Sequence, residues 1–334
     1  MPPSPASLDL FCLGNAIVDV IAPCEDRFLA DHGIIKGAMN LIDAERAELL
    51  YAAMGPATET SGGSAGNTAS GAAALGARAA FSGKVADDQL GAIYRHDIDA
   101  LNVAFDTTAL NSPPPTARSM IFVTPDAQRS MNTYLGACVE LGPDDVEPDK
   151  AASAAITYFE GYLWDPPAAK ALIRDTARIA HENGRQVAMT LSDAFCVDRF
   201  RDEFLDLIRS GTVDIVFGNA DEVRSLYETD DLTEATERLG REASLAVVTH
   251  GAEGSTAIRG NERASVAAWP VETPVDTTGA GDLYAAGFLT ALTRNSGLEA
   301  CCRLGSFAAA RIIEQIGPRP QPSLGDEART EGLF

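Results

Sequence analysis

Residues 155–161 read AITYFEG, 186–192 read QVAMTLS, 213–219 read VDIVFGN and 245–251 read LAVVTHG. Each is a short run rich in apolar and β-branched residues, the pattern of a strand buried on both faces. The stretches between them, PAAKALIRDTARIAHENG (167–184), VDRFRDEFLDLIRSG (197–211), ADEVRSLYE (220–228) and LTEATERLGREA (232–243), place apolar residues at helical spacing. Strands alternating with helices of this length predict an α/β fold, a mainly parallel sheet flanked by helices on both faces. Toward the amino terminus, DLFCLGNAIVDV (9–20) reads as one strand, AERAELLYAAM (44–54) as a short helix and ARAAFSGKV (77–85) as a buried strand. DQLGAIYRHDIDAL (88–101) reads as an amphipathic helix, and helices from 281 onward close the chain. Residues 118–137 read as two short strands turning at Pro125-Asp126. The parts that do not alternate, about 16–62 and 108–137, are expected to form a small β-rich lid beside the sheet, within a single domain over 1–334.

Composition excludes several classes. The chain has 334 residues, 46% apolar and 22% charged, which suits a globular protein with a large core. Its formal charge is 26 − 48 = −22, so a partner held through a nucleic-acid backbone is not expected. Of the 26 basic residues only Lys36, Lys84, Lys150 and Lys170 are lysines, so a phosphate site here must rely on arginine, backbone N–H groups or metal. Six cysteines without a CxxC pair indicate a reduced, cytoplasmic protein. The start MPPSPASLDLFCLGN lacks the basic and apolar regions of a signal peptide. No run of about 18 apolar residues is present to cross a membrane.

Two glycine-rich turns carry the chemistry. Asp276-Thr277-Thr278-Gly279-Ala280-Gly281-Asp282 leads straight into the apolar stretch LYAAGFLTALTR. Its glycines let successive N–H groups converge at a helix start, where the helix dipole adds positive potential, so the turn makes an anion hole that needs no lysine. Asp282, in the first turn, is placed to take a proton from a hydroxyl attacking a phosphoryl group held there. A plain glycine turn with an acidic helix start is the structural alternative. Gly62-Gly63-Ser64-Ala65-Gly66-Asn67 likewise precedes the small-residue helix TASGAAALG (68–76); taken alone it reads as a capped helix after a flexible loop, though the Asn67 amide can both donate to and accept from a ligand hydroxyl. Asn15 and Asp19, four apart on the first strand, are expected to share a face, with Asp19 suited to a vicinal diol; a polar strand end near solvent is the structural alternative. Asn219 and Glu222 read equally as a helix capping box and as a phosphate and Mg²⁺ motif. Arg129, in the turn DAQRS, can reach over transferring phosphates or stand exposed on a hairpin. GxxxxGK[ST] and GxSxG are absent, and Tyr284 breaks a GxGxxG match at 279–284, so P-loop, hydrolase and Rossmann readings lack their fingerprints.

Together, GGSAGN and DTTGAGD resemble the paired signatures of the ribokinase-like (PfkB) family of carbohydrate and nucleoside kinases. The likeness runs over nearly the whole chain. GNAIVDV (14–20), FLADHGIIKGAMNLIDAE (28–45), RSMNTYLGACVEL (129–141), TLSDAFCVDRF (190–200) and DIVFGNADEVRSL (214–226) are most similar to the adenosine kinases of that family. The resemblance implies ATP-dependent phosphorylation of the 5′-hydroxyl of adenosine, giving AMP and ADP. It makes Asp282 the catalytic base, Gly279, Ala280 and Gly281 the anion hole and Arg129 the lid arginine. It gives Asp19, Gly63 and Asn67, with Asn15 beside them, to the ribose, and Leu135, Ala137 and Tyr162 to the adenine. Asn219 and Glu222 (the latter through water on Mg²⁺) go to the phosphates, and Thr249 and Gly251 to the ATP side. ATP and Mg²⁺ are the implied cofactors, with room for a monovalent cation; the partners are a small nucleoside and ATP, and monomer and dimer both stay open. Thr190 and Asn40 depart from the family's adenosine kinases, which carry Asn and Gln there. A sugar kinase of the same family, acting on ribose or a hexose, is the first alternative, and a catalytically silent nucleotide-binding regulator the second.

Overall fold

The computed structural model describes residues 6–126 and 128–334, so the first residues of the stretch read for a leader, and Ala127 of the turn before Arg129, lie outside it. The strands in chain order are β1 (Leu8–Leu13), β2 (Ile17–Pro23), β3 (Met39–Leu41), β4 (Thr58–Ser61), β5 (Ala79–Ser82), β6 (Ala117–Val123), β7 (Arg129–Tyr134), β8 (Ala154–Glu160), β9 (Gln186–Thr190), β10 (Ile215–Asn219), β11 (Leu245–Thr249), β12 (Ser255–Arg259) and β13 (Glu262–Val266). They form an eight-stranded sheet ordered β13-β12-β11-β10-β9-β8-β1-β5 and a five-stranded sheet ordered β3-β7-β6-β2-β4.

From β5 to β11 every pairing in the large sheet is parallel. Period-two alternation divides its core: Leu10 and Cys12 of β1 point into one buried cluster, and Phe11 and Leu13 into the other. The antiparallel hairpin β12–β13 adds an edge that the sequence reading passes over. Neither STAIR, buried but for Arg259, nor ERASV at the exposed edge carries a continuous apolar run, so the pattern that marks the inner parallel strands is missing here.

The expected single strand over 9–20 is two. β1 ends at Leu13 and β2 begins at Ile17 in the other sheet, so Gly14-Asn15-Ala16 is the crossing between sheets. Asn15 and Asp19 therefore do not share a strand face. The small sheet draws on 17–23, 39–41, 58–61, 117–123 and 129–134. One of its faces packs Met120 and Phe122 against Leu29 of the helix Asp26–Asp31 and Ala47 and Leu50 of the helix Ala44–Ala53. The other face is free to line a cleft.

The helix after the first glycine turn starts earlier than expected, at Ser64, and runs to Ala74. It packs tightly on the helix Ala280–Thr293: a Cβ on Gly71 would stand 2.5 Å from Leu283 Cδ1 and 2.7 Å from Ala286 Cβ. This close approach brings together two glycine turns more than two hundred residues apart in sequence. No helix among the described residues is long and apolar enough to cross a membrane.

Candidate active site

Parallel strands end together, and their carboxyl ends are where open α/β sheets bind ligands. Here Glu160, Thr190, Asn219 and Thr249, the last residues of β8, β9, β10 and β11, all line one cleft, as does Asn15 just beyond β1. The cleft is open to solvent and has a cavity volume of about 380 Å³. Its roof is the inner face of the small sheet, with Ile17, Asp19, Met39, Ser119, Ile121, Met131 and Thr133 at alternating positions. Both glycine turns line it too.

The first turn is dictated by what crowds it. Gly63 has φ +83°, and a Cβ there would stand 2.0 Å from the Asn15 carbonyl oxygen, so only glycine fits. A Cβ on Gly62 would meet the Asp19 carboxylate at 2.4 Å. The helix that follows has no cap of its own; instead Glu160, fully buried, accepts from Ala65 N at 2.7 Å. Its other oxygen accepts from Asn15 N at 3.0 Å and Asn15 Nδ2 at 2.8 Å. Burial, partly opposed by these donors, pushes the Glu160 carboxyl up to about 7. Glu160 thus ties the crossing between sheets to the turn. Glu160→Gln would set an amide N–H₂ against one of these donors, at a cost of about 1–3 kcal/mol. We expect a Tm lower by several degrees and a higher KM for the acceptor, read by calorimetry and steady-state rates; an unchanged KM would separate Glu160 from the site.

Asp282 stands where the two turns meet. Ser64 Oγ donates to its Oδ1 at 2.6 Å and Asn67 Nδ2 to its Oδ2 at 2.8 Å. Burial raises its carboxyl above the ordinary aspartate value, opposed by these two donors and by the positive charge of Arg319. With Nδ2 spent, Asn67 Oδ1 is left as a buried acceptor without a partner among the described residues. The nearby Asp19 carboxyl is pushed up to about 7 by burial, which outweighs the pull of Arg319 and Arg129. Two acceptors in one corner suit a pair of ligand hydroxyls.

Four helix starts line the cleft, and three are capped. Asp193 accepts from Cys196 N, Asn219 accepts from Asp221 and Glu222 N, and Glu160 serves Ala65. The helix Ala280–Thr293 alone among them has no side-chain cap, and Gly279 before it is left-handed at φ +80°. Gly279, Ala280, Gly281 and Asp282 all face the cleft. Ala280 N turns back to Thr277 O at 3.2 Å, and the N–H groups of Gly279, Gly281 and Asp282 at this uncapped helix start make a site for an anion.

Asn219 and Glu222 form a full capping box, with Glu222 accepting from Asn219 N at 3.0 Å. Both also line the cleft, so the structural and functional readings coexist. Burial pushes the Glu222 carboxyl up to about 7.

Of the residues singled out from sequence, Asn15, Asp19, Gly63, Asn67, Leu135, Tyr162, Asn219, Glu222, Thr249, Gly279, Ala280, Gly281 and Asp282 share this wall. Three do not. Ala137 is fully buried in the 3₁₀ turn Gly136–Glu140, behind Leu135. Gly251 lies on the surface in the turn Gly251–Glu253. Arg129 reaches across from β7 but ends on Asp276 Oδ2 at 2.6 Å. The Asn40 departure lies off the wall, because β3 turns Met39 and Leu41 to the cleft and the residue between them away. Thr190 does line it. Ser64 and Glu160 were missed; a carboxylate closing the apolar run TYFE was the available signal.

Residues 9–324 match the profile described as pfkB family carbohydrate kinase. The chain belongs to this family. As a pfkB kinase it is a phosphotransferase with a hydroxyl acceptor, built on the ribokinase-like fold. The solved adenosine kinase of Sinorhizobium meliloti is 63% identical with a TM-score of 0.93, covering 98% of this chain and 100% of its own. A structure described as a probable sugar kinase from Rhizobium etli is 59% identical with a TM-score of 0.95 and the same coverage. Adenosine kinase of Saccharomyces cerevisiae is 26% identical over 92% of this chain and 96% of its own.

Proposed function

We propose that this kinase transfers the γ-phosphoryl group of ATP to the 5′-hydroxyl of adenosine, giving AMP and ADP, and that Asp282 is its general base. The observation that carries the reaction is the uncapped helix start at Gly279–Asp282, set beside a buried carboxylate held at both oxygens by Ser64 and Asn67. The ribose 2′- and 3′-hydroxyls donate to Asp19 and to the unpartnered Asn67 Oδ1, with Asn15 and Gly63 beside them. This presents the 5′-hydroxyl to Asp282. The adenine lies against Leu135 and Tyr162 under the apolar roof of Ile17, Met39 and Met131. Ala137 supports that wall from behind.

As the 5′-oxygen bonds to the γ-phosphorus, its proton passes to Asp282 and the bond to the ADP oxygen breaks. The N–H groups of Gly279 and Gly281, in the turn 279–281 that Ala280 N braces against Thr277 O, stabilise charge on the transferring oxygens, which is most of what a loose phosphoryl transition state requires. Asn219, Glu222 and Thr249 form the wall of the ATP side. No group of three acidic, His or Cys side chains able to hold an ion directly occurs among the described residues. Mg²⁺ would therefore come with the nucleotide, neutralising phosphate charge, and Glu222 can order its water shell. The small sheet, with Arg129 reaching over the cleft, is the lid that excludes water. Six unpaired cysteines suit a cytoplasmic setting.

The test is ADP release from ATP and Mg²⁺ with adenosine, inosine, guanosine, ribose and fructose. We expect adenosine to be preferred to either sugar by about a hundredfold in kcat/KM, about 2.7 kcal/mol of base recognition. Preference for ribose or fructose would keep the mechanism and replace the substrate, in line with the name borne by the Rhizobium etli relative. No turnover with any acceptor would leave a nucleotide-binding regulator.

A further inference from the structure

Arg319 lies between Pro318 and Pro320, in the segment after the helix Leu298–Ile313. Its guanidinium has five acceptors, three carbonyls and two hydroxyls, and none is a carboxylate. Nε donates to Ser61 O and Ser61 Oγ, both at 3.0 Å, and Nη2 to Gly62 O at 3.1 Å. Nη1 donates to Gly66 O and Ser70 Oγ. The Tyr94 ring lies beneath, 5.8 Å from the guanidinium carbon. Gly66 is a glycine for this reason: a Cβ there would stand 2.5 Å from Tyr94 Oη and 3.3 Å from Arg319 Nη2. The same segment braces the second turn. Gly317 N donates to Asp276 Oδ2 at 2.8 Å, and a Cβ on Gly279 would meet Pro318 Cβ at 2.8 Å.

The charge balance around the site is lopsided. The charge of Asp282 raises Asp19 on β2, Tyr158 and Glu160 on β8 and Glu222 on the helix Ala220–Tyr227, and Asp276 also raises Asp19. Against them stand Arg129, paired with Asp276, and Arg319. Arg319 lowers the carboxyls of both Asp19 and Asp282, opposing their burial.

We propose that Arg319 is a positioning residue for the transfer: it fixes the 61–70 segment so that Ser64 and Asn67 grip Asp282, and with no carboxylate among its acceptors it keeps an uncompensated positive charge beside that segment. The inference rests on Asp282 being the base. An arginine with all three side-chain nitrogens engaged by backbone and hydroxyl oxygens is rigid, and lysine cannot replace its planar fork.

The experiment compares Arg319→Met, Arg319→Lys and Asp282→Asn by pH profiles of kcat/KM, plateau kcat and thermal unfolding. Arg319→Met should shift the acidic limb upward by about half a pH unit or more, because the carboxylate loses its counter-charge. Its plateau kcat should fall about tenfold to a hundredfold through misplacement of the base. Arg319→Lys should leave the limb near its wild-type position and still lose plateau kcat. An unmoved limb in a folded Arg319→Met protein overturns the electrostatic part, and full plateau kcat in Arg319→Lys overturns the positioning part. If Arg319→Met does not fold, the lysine variant decides. An active Asp282→Asn enzyme would show instead that the base assignment had failed.

Discussion

Asp282→Asn is expected to lower kcat by about a thousandfold while ATP still binds, since a positioned general base contributes about 10²–10⁴. The substitution is nearly isosteric. Ser64 Oγ can still donate to the amide oxygen, and the Asn67 amide can turn to offer Oδ1 to the new N–H₂ group. The cleft wall of Asn219, Glu222 and Thr249, proposed above for ATP, is untouched, so calorimetric ATP binding should stay close to wild type. The pH profile gives a second check. Burial raises the Asp282 carboxyl, and the group must be ionised to take a proton, so kcat/KM falls as pH drops through a value above the ordinary aspartate pKa of 3.8. That limb is absent in the variant. Near-normal turnover in Asp282→Asn would remove the base and leave the anion hole to explain the rate.

Much of this site was legible because two glycine turns announce themselves locally. DTTGAGD before an apolar helix marks a glycine-led helix start suited to an anion without any knowledge of packing. The alternation over 154–249 shows a parallel sheet, and with it the edge where ligands bind. What was hidden depends on contacts between distant segments. The crossing at Gly14-Asn15-Ala16 lies within a run of strand-like residues, and only the capture of Asn15 by Glu160 shows that the chain changes sheets there. Ser64 sits in full view between glycines, yet its hydroxyl matters because Gly71 lets the two helices close on each other. Ala137 and Gly251 share their segments with true wall residues, but a buried 3₁₀ turn and an exposed one carry them off the wall. Local pattern shows which backbone can bind; side-chain burial and packing show which neighbours reach it.

Arg129→Met is expected to have two separable effects, because Arg129 has two partners to serve. Its Nη2 pairs with Asp276 Oδ2, and that carboxylate, with no exposed side-chain surface, also accepts from Thr278 N at 2.9 Å and Gly317 N at 2.8 Å. Removing the cation leaves a buried charge held by backbone donors alone, at a cost of about 3 kcal/mol, the low end for a broken buried pair. Arg129 Nη1 meanwhile is buried without a partner among the described residues, a donor still available to a phosphate oxygen. Losing it should reduce kcat about 10²–10³-fold, the scale of a missing transition-state donor. Asp276→Asn separates the two. It keeps an acceptor for one of the two backbone N–H groups and frees the guanidinium, so kcat should stay within about tenfold of wild type. In the double variant Arg129→Met/Asp276→Asn the unpaired charge is gone, and thermal stability should recover toward wild type while kcat stays low. If the double variant instead recovers its kcat along with its stability, Arg129 acts only as the structural partner of Asp276, and the backbone of 279–281 stabilises the transferring phosphoryl group without it.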